Sequence, residues 1–288
     1  MKSSIFASLR TAGSRTSLAK NLWLVVAAVL LSGCAGNMNV SEKMMWSTYP
    51  LATQKGAATG FVINRKDARA PGGVLPVVFT SAHVLETVGC GPLIIGIRKL
   101  DENGEIQAAL LAFNPPGAHG KERFYVRHPQ HDLAAFALHL PEEVAERAQM
   151  SSCVDQRMLA HDGKRLRSGV EVSFLGYPEV LPGTEGGFPV LRSGRVASYP
   201  VGTSQAHGRF LINADVYPGD SGAPVFVTQG GRPRLVGMIS QRISPEERQF
   251  SHLAVAVDAN VIRETMDLLV AAENKAAPVN KTTAKKAP

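Results

Sequence analysis

Three short segments carry residue types that could perform acyl transfer. Phe79-Thr80-Ser81-Ala82-His83-Val84-Leu85 places a histidine at the end of an apolar, β-branched run. His131-Asp132-Leu133-Ala134-Ala135-Phe136 places a carboxylate at the mouth of another. Pro218-Gly219-Asp220-Ser221-Gly222-Ala223-Pro224 sets a serine between two glycines, where the backbone can bend tightly and present the hydroxyl. A serine hydroxyl is a weak nucleophile near neutral pH, so it needs a base, and the base needs an orienting partner. Ser221 is the candidate nucleophile, His83 the base and Asp132 the orienting acid. The same bend can aim the amides of Gly219 and Ser221 at one point, as a tetrahedral oxyanion requires. Taken singly, Gly-Asp-Ser-Gly is also an ordinary turn, His83 a core histidine and Asp132 a strand-end acid. Only a folded domain could bring the three together.

The elements that must position them read as strands. Val77-Val78-Phe79, Leu93 to Ile97, Gln107 to Phe113, Leu133 to Leu138, Val170 to Leu175, Val190 to Val196, Phe210 to Ile212, Val225-Phe226-Val227 and Leu235 to Ile239 are short apolar or alternating runs broken by Gly, Pro and Asn. Many short strands without a sustained helical period predict an all-β barrel or sandwich. Two helical stretches stand out. Pro141 to Met150 is acidic at its start. Asp258 to Ala272 carries Val261, Ile262, Met266, Leu269 and Val270 at three- and four-residue steps.

Thr80-Ser81-Ala82-His83, Asp132-Leu133-Ala134 and Gly219-Asp220-Ser221-Gly222 resemble the three signature segments of the trypsin/chymotrypsin-like serine proteases, in that family's order and near its spacing. The resemblance runs from about Thr53 to Met266. Thr59-Gly60-Phe61-Val62-Ile63 is similar to the first barrel strand of the bacterial branch. Leu235 to Ser240 is similar to the strand after the nucleophile, which implies that Ser240 supports the catalytic aspartate. The resemblance implies two antiparallel six-stranded β-barrels with a C-terminal helix, no cofactor, and a polypeptide substrate. It also implies that Asp215, six residues before Ser221, lies at the base of the substrate pocket and favours Arg or Lys side chains. Arg242 stands near where trypsin keeps a glycine, so it could narrow that pocket or pair with Asp215. Zymogens of the family bury a freshly cut N-terminus against the acid before the nucleophile. No such cleavage motif precedes Thr59, so Asp220 must find another partner, or only a loop amide.

The formal net charge of +7 does not indicate nucleic acid. Lys2, Arg10, Arg15 and Lys20 precede Cys34 without an acid among them, and Lys275, Lys281, Lys285 and Lys286 crowd the other end against Glu273. The region between is near neutral, with no basic stripe interleaved with aromatics. Leu22 to Leu31 is an apolar run of signal-peptide length behind a basic region, too short to span a bilayer comfortably. Leu31-Ser32-Gly33-Cys34 resembles a bacterial lipobox, which implies cleavage after residue 33 and lipid on Cys34. Ala35 in place of aspartate points, by analogy with enteric sorting, to an outer membrane facing the periplasm. The expected organisation is a signal peptide at 1–33, a tether at 34–53, a protease domain at 54–272 and a disordered basic tail at 273–288. With Cys34 lipidated, Cys90 and Cys153 remain as an even pair that could form a disulfide. His128, His131 and His119 lie close in sequence, but a proline interrupts them and no further ligand cluster appears, so no metal is expected. The expected activity is an envelope-tethered serine endopeptidase. The alternative is a non-catalytic lipoprotein that keeps the fold as a peptide-binding or envelope-assembly module.

Overall fold

Extended runs of β-branched and aromatic residues pair into two sheets. The structure is a computed structural model that describes residues 38–88, 91–113, 123–160, 166–180, 187–201, 208–242 and 252–276, without the side chains of Pro71, Ser151, Gln241, Arg242 and Ala276. The signal segment, Cys34, Cys90, His119 and the tail beyond 276 lie outside the described residues.

The first sheet contains β1 (Thr48–Thr53), β2 (Gly56–Lys66), β3 (Val74–Thr80), β4 (Leu93–Leu100), β5 (Ile106–Phe113), β6 (Val126–Arg127), β7 (Ala134–Ala137) and β8 (Val154–Asp155). Its order is β5-β4-β1-β2-β3-β7-β6, with β8 added in parallel to β2. β6 and β8 are two-residue pairings, so six strands form its body. The second sheet closes on itself: β9 (Glu171–Gly176), β10 (Val190–Val196), β11 (Arg209–Asn213), β12 (Pro224–Gln229), β13 (Arg232–Arg242) and β14 (Leu253–Asp258) form a barrel in the order β10-β11-β14-β13-β12-β9. Closure removes the exposed edges that open sheets must otherwise protect. The all-β, chymotrypsin-like arrangement expected from the sequence is the one observed.

Three apolar clusters explain the burial along the strands. One fills the first sheet, with Val62, Val78, Ile95 and Phe136. Another fills the barrel, with Phe174, Phe210, Ile212 and Val225. The third contains Phe61, Ile63 and Phe79 from the first sheet, Leu235 and Met238 from the barrel, and Val261, Ile262, Met266 and Leu269. β2 is therefore covered on both faces, and Ala58 through Arg65 are buried without alternation. Phe61 and Phe79 stack with ring centroids 5.5 Å apart.

Four helices are described. α1 spans Val40–Trp46, α2 Ala82–Glu86, α3 Glu142–Arg147 and α4 Ala259–Ala276. α3 and α4 fall within or beside the stretches that the periodicity marks as helical. α1 overturns the expected tether. A seven-residue helix is marginal alone, so its packing must hold it. Met44 is fully buried in the third cluster, a burial worth about 1.5–3 kcal/mol. Ser47 Oγ and Thr48 Oγ1 donate to the carbonyls of Lys43 and Met44, and the fully buried Arg98 guanidinium donates to Met45 O, Trp46 O and Thr48 O at 2.8–3.0 Å. β1 then pairs with both β2 and β4. The compact unit begins at Val40, not near residue 54.

Candidate active site

The β3–β7 ladder sets the first two residues in place. Thr80 pairs with Ala134 at its end, so the chain three residues past β3 and two residues before β7 emerges on the same side. There the His83 backbone N–H donates to Asp132 Oδ1 at 2.9 Å, and His83 Nδ1 lies 2.7 Å from Asp132 Oδ2. Both carboxylate oxygens are thus engaged by one residue, which fixes the ring relative to the acid. Ser240 Oγ donates to Asp132 Oδ2 at 3.3 Å. The His83 side chain remains 47% exposed against 16% for Asp132, so the ring is held from behind and open in front.

Charge follows from this contact. The hydrogen bond that Asp132 accepts from the ring, opposed by partial burial and aided by the carboxylate charge, raises the His83 pKa above its ordinary value. Burial pushes the Asp132 carboxyl up, but the His83 and Ser240 hydrogen bonds outweigh it and the net shift is downward. A protonated imidazole is therefore stabilised beside an ionised carboxylate.

Ser221 sits in the loop between β11 and β12. Consecutive carbonyls around it are each held by a donor: Pro218 O by Glu179 N–H at 2.9 Å, Gly219 O by Thr59 Oγ1 at 2.7 Å, Asp220 O by Ala223 N–H at 2.9 Å and Ser221 O by Thr59 N–H at 2.9 Å. In a trans peptide the N–H points opposite to its carbonyl. Anchoring Pro218 O and Asp220 O therefore turns the amides of Gly219 and Ser221 to the other side of the loop. Gly219 has φ +96°, and a Cβ there would collide with Tyr177 O. Gly222 packs so closely against Thr59 O and Thr80 Oγ1 that a Cβ would collide with the first. Ser81 Oγ donates to Ser240 O at 3.4 Å. The serine loop thus abuts the strand end that carries His83.

Asp220 has a partner within the barrel. The Arg192 guanidinium from β10 clamps the fully buried carboxylate, with Nη1 at 2.8 Å from Oδ2 and Nη2 on Oδ1. Tyr217 N–H donates to Oδ2 at 2.7 Å, and the guanidinium lies 4.7 Å from the Phe174 ring centroid. Nothing local in the sequence marks Arg192. The signal in the sequence is Asp220 itself, an acid left without the partner its family supplies.

The specificity and cysteine expectations fare differently. Asp215 is half exposed and accepts from His252 Nδ1 at 2.6 Å, so its partner is that imidazole; the Arg242 side chain lies outside the described residues. Cys153 is a buried free thiol 3.3 Å from the Tyr49 hydroxyl, and Cys90, its possible disulfide partner, lies outside the described residues. Burial pushes that thiol's pKa up, away from reactivity. His128 Nε2 lies 3.1 Å from Glu264 Oε2, and His131 packs beside it with ring centroids 4.8 Å apart.

A model of the trypsin-like peptidase domain matches residues 58–238, well over half of the 288. No curated protein matches the sequence. Solved structures do. An inactive mutant of an M. tuberculosis H37Rv protein is 17% identical with TM-score 0.45, over 79% of this chain and 88% of that one. The HtrA-type protease AlgW with a tripeptide is 15% identical with TM-score 0.48, over 80% of this chain and 62% of that one. A scabies mite inactivated protease paralogue is 17% identical with TM-score 0.49, over 80% of this chain and 96% of that one. The matched segment holds the histidine, the acid and the serine loop described above, and the chain belongs to the trypsin-like peptidases, a family of serine-type peptide hydrolases.

Proposed function

We propose that the protein is a serine endopeptidase acting through His83, Asp132 and Ser221 by way of an acyl-enzyme. The observation that carries this reading is the two-point hold of His83 on Asp132, through its backbone N–H and its Nδ1. That hold leaves Nε2 as the ring nitrogen free to take a proton. In the first step Ser221 Oγ attacks the scissile carbonyl as its proton passes to His83 Nε2. The amides of Gly219 and Ser221 take the oxyanion, each donor worth about 3–4 kcal/mol of barrier. His83 then returns its proton to the leaving amine, and water repeats the sequence on the ester. Asp132 holds the tautomer and stabilises the imidazolium, with Ser240 supporting the acid. The basic, apolar leader ending at Cys34 supports an envelope protein tethered by lipid, facing the periplasm from the outer membrane.

The pH profile tests the role of His83. A general base must be neutral, and Asp132 raises the His83 pKa. With a fluorogenic peptide selected from a library, kcat/KM is expected to rise with pH through a midpoint above about 6.5, the ordinary imidazole value. Asp132→Asn removes the anion, so the remaining activity should titrate at lower pH and fall by about 10⁴-fold in kcat. A flat profile between pH 5 and 8 would exclude His83 as the base.

A further inference from the structure

Of the four carbonyls anchored across 218–221, three are held by main-chain N–H groups and one by a side chain. That one is Gly219 O, held by Thr59 Oγ1. The hydroxyl works in both directions, since it also accepts from Tyr177 N–H at 3.0 Å. Thr59 is fully buried, so neither contact is shared with solvent. Its own N–H holds Ser221 O, and its carbonyl accepts from Thr80 Oγ1 at 2.8 Å, three residues before His83. One residue of β2 therefore touches the chain on both sides of the nucleophile and the strand that delivers the base.

Glycine has the widest backbone freedom of any residue, and Gly219 sits at φ +96° between two peptide planes. Its N–H lies in the first plane, and a shift of the second is passed to it through the freely rotating Gly219 Cα. Glu179 N–H fixes the 218–219 plane, and the 219–220 plane is held at both ends, Gly219 O by the Thr59 hydroxyl and Asp220 N–H on Tyr217 O at 3.0 Å. Tyr177, which donates to that hydroxyl, is itself tied down. Its phenol accepts from Arg98 Nη1 at 2.9 Å and donates toward Thr48 O and Gly187 O.

We propose that Thr59 is a positioning residue for the oxyanion site: its hydroxyl locks the Gly219–Asp220 peptide so that the Gly219 amide stays directed at the developing oxyanion. The inference rests on the catalytic reading above and deepens it. Thr59 touches neither the substrate carbonyl nor the proton in flight, so its loss acts on the transition state through Gly219.

Thr59→Val keeps the shape and removes the hydroxyl, while Thr59→Ser restores it. Each full chain is assayed with a peptide amide that the parent cleaves and with the peptidyl boronic acid of the same sequence. For Thr59→Val, kcat is expected to fall about 10- to 100-fold with KM within about twofold, a partial loss of one oxyanion donor. Boronate affinity should fall in step with kcat, and Thr59→Ser should recover most of both. If Thr59→Val does not fold, Thr59→Cys, with a weak thiol donor, replaces it under the same comparison. Unchanged kcat, or a loss confined to KM, overturns the proposal. So does a fall in kcat without loss of boronate affinity, or a loss that Thr59→Ser does not repair. Ser221→Ala is run alongside: full turnover by that variant would overturn the catalytic reading itself, independently of Thr59.

Discussion

Ser221→Ala is expected to lower kcat/KM by at least about 10⁴-fold while leaving the fold intact. The magnitude follows from the unity of the relay: without the nucleophile, a positioned imidazole and two directed amides have nothing to act through. The fold should survive because the hydroxyl is not what shapes the loop. Ser221 is held through its carbonyl by Thr59, and its flanking residues through Ala223 N–H, Ile239 O and Arg192. Its φ lies outside the left-handed region, so alanine adopts the same backbone without strain. Melting temperature within about 2 °C of the parent, with turnover at background, is the expected pair of readings. A variant with near-parental turnover would place the nucleophile elsewhere.

The largest stability effect is expected at Arg192. Arg192→Met keeps a similar length of side chain over Phe174 but leaves the Asp220 carboxylate buried without a counter-charge. Breaking a buried pair from one side typically costs about 3–5 kcal/mol. For a domain of this size that corresponds to a fall of roughly 6–20 °C in melting temperature. Activity should fall too, since Asp220 Oδ2 receives Tyr217 N–H and so shapes the turn that leads into Ser221. The double variant Arg192→Met with Asp220→Leu should regain part of the lost stability, because no unpaired charge remains. Thermal unfolding of the two variants side by side checks this. A single variant as stable as the parent would mean that the pair contributes nothing net.

The reach of the sequence follows from where its signals are local. Strands with apolar runs and the three- and four-residue spacing of α4 are visible because each pattern lies within one segment. The site segments are legible for the same reason: His83, Asp132 and the serine loop each end or begin such a run. Residues 40–53 were missed because their burial depends on distant partners. Ser47 and Thr48 read as tether residues, yet both are fully buried with their hydroxyls turned back on α1. Arg98 follows the apolar run Leu93 to Ile97 with nothing local to mark it, yet it is buried against carbonyls, the Tyr177 phenol and the rings of Trp46, Tyr49 and Phe188. Arg192 and Thr59 matter through contacts 28 and 160 residues away, respectively. An even cysteine count says nothing of direction: the Cys153 thiol is turned toward Tyr49.

The central claim is that a serine made nucleophilic by His83 performs the chemistry. Labelling the folded chain with a fluorophosphonate, followed by peptide mass mapping, tests it most directly. A single adduct on Ser221, abolished by His83→Ala at unchanged melting temperature, is the predicted result. A folded chain that takes no label, or takes it on another residue, would contradict the account.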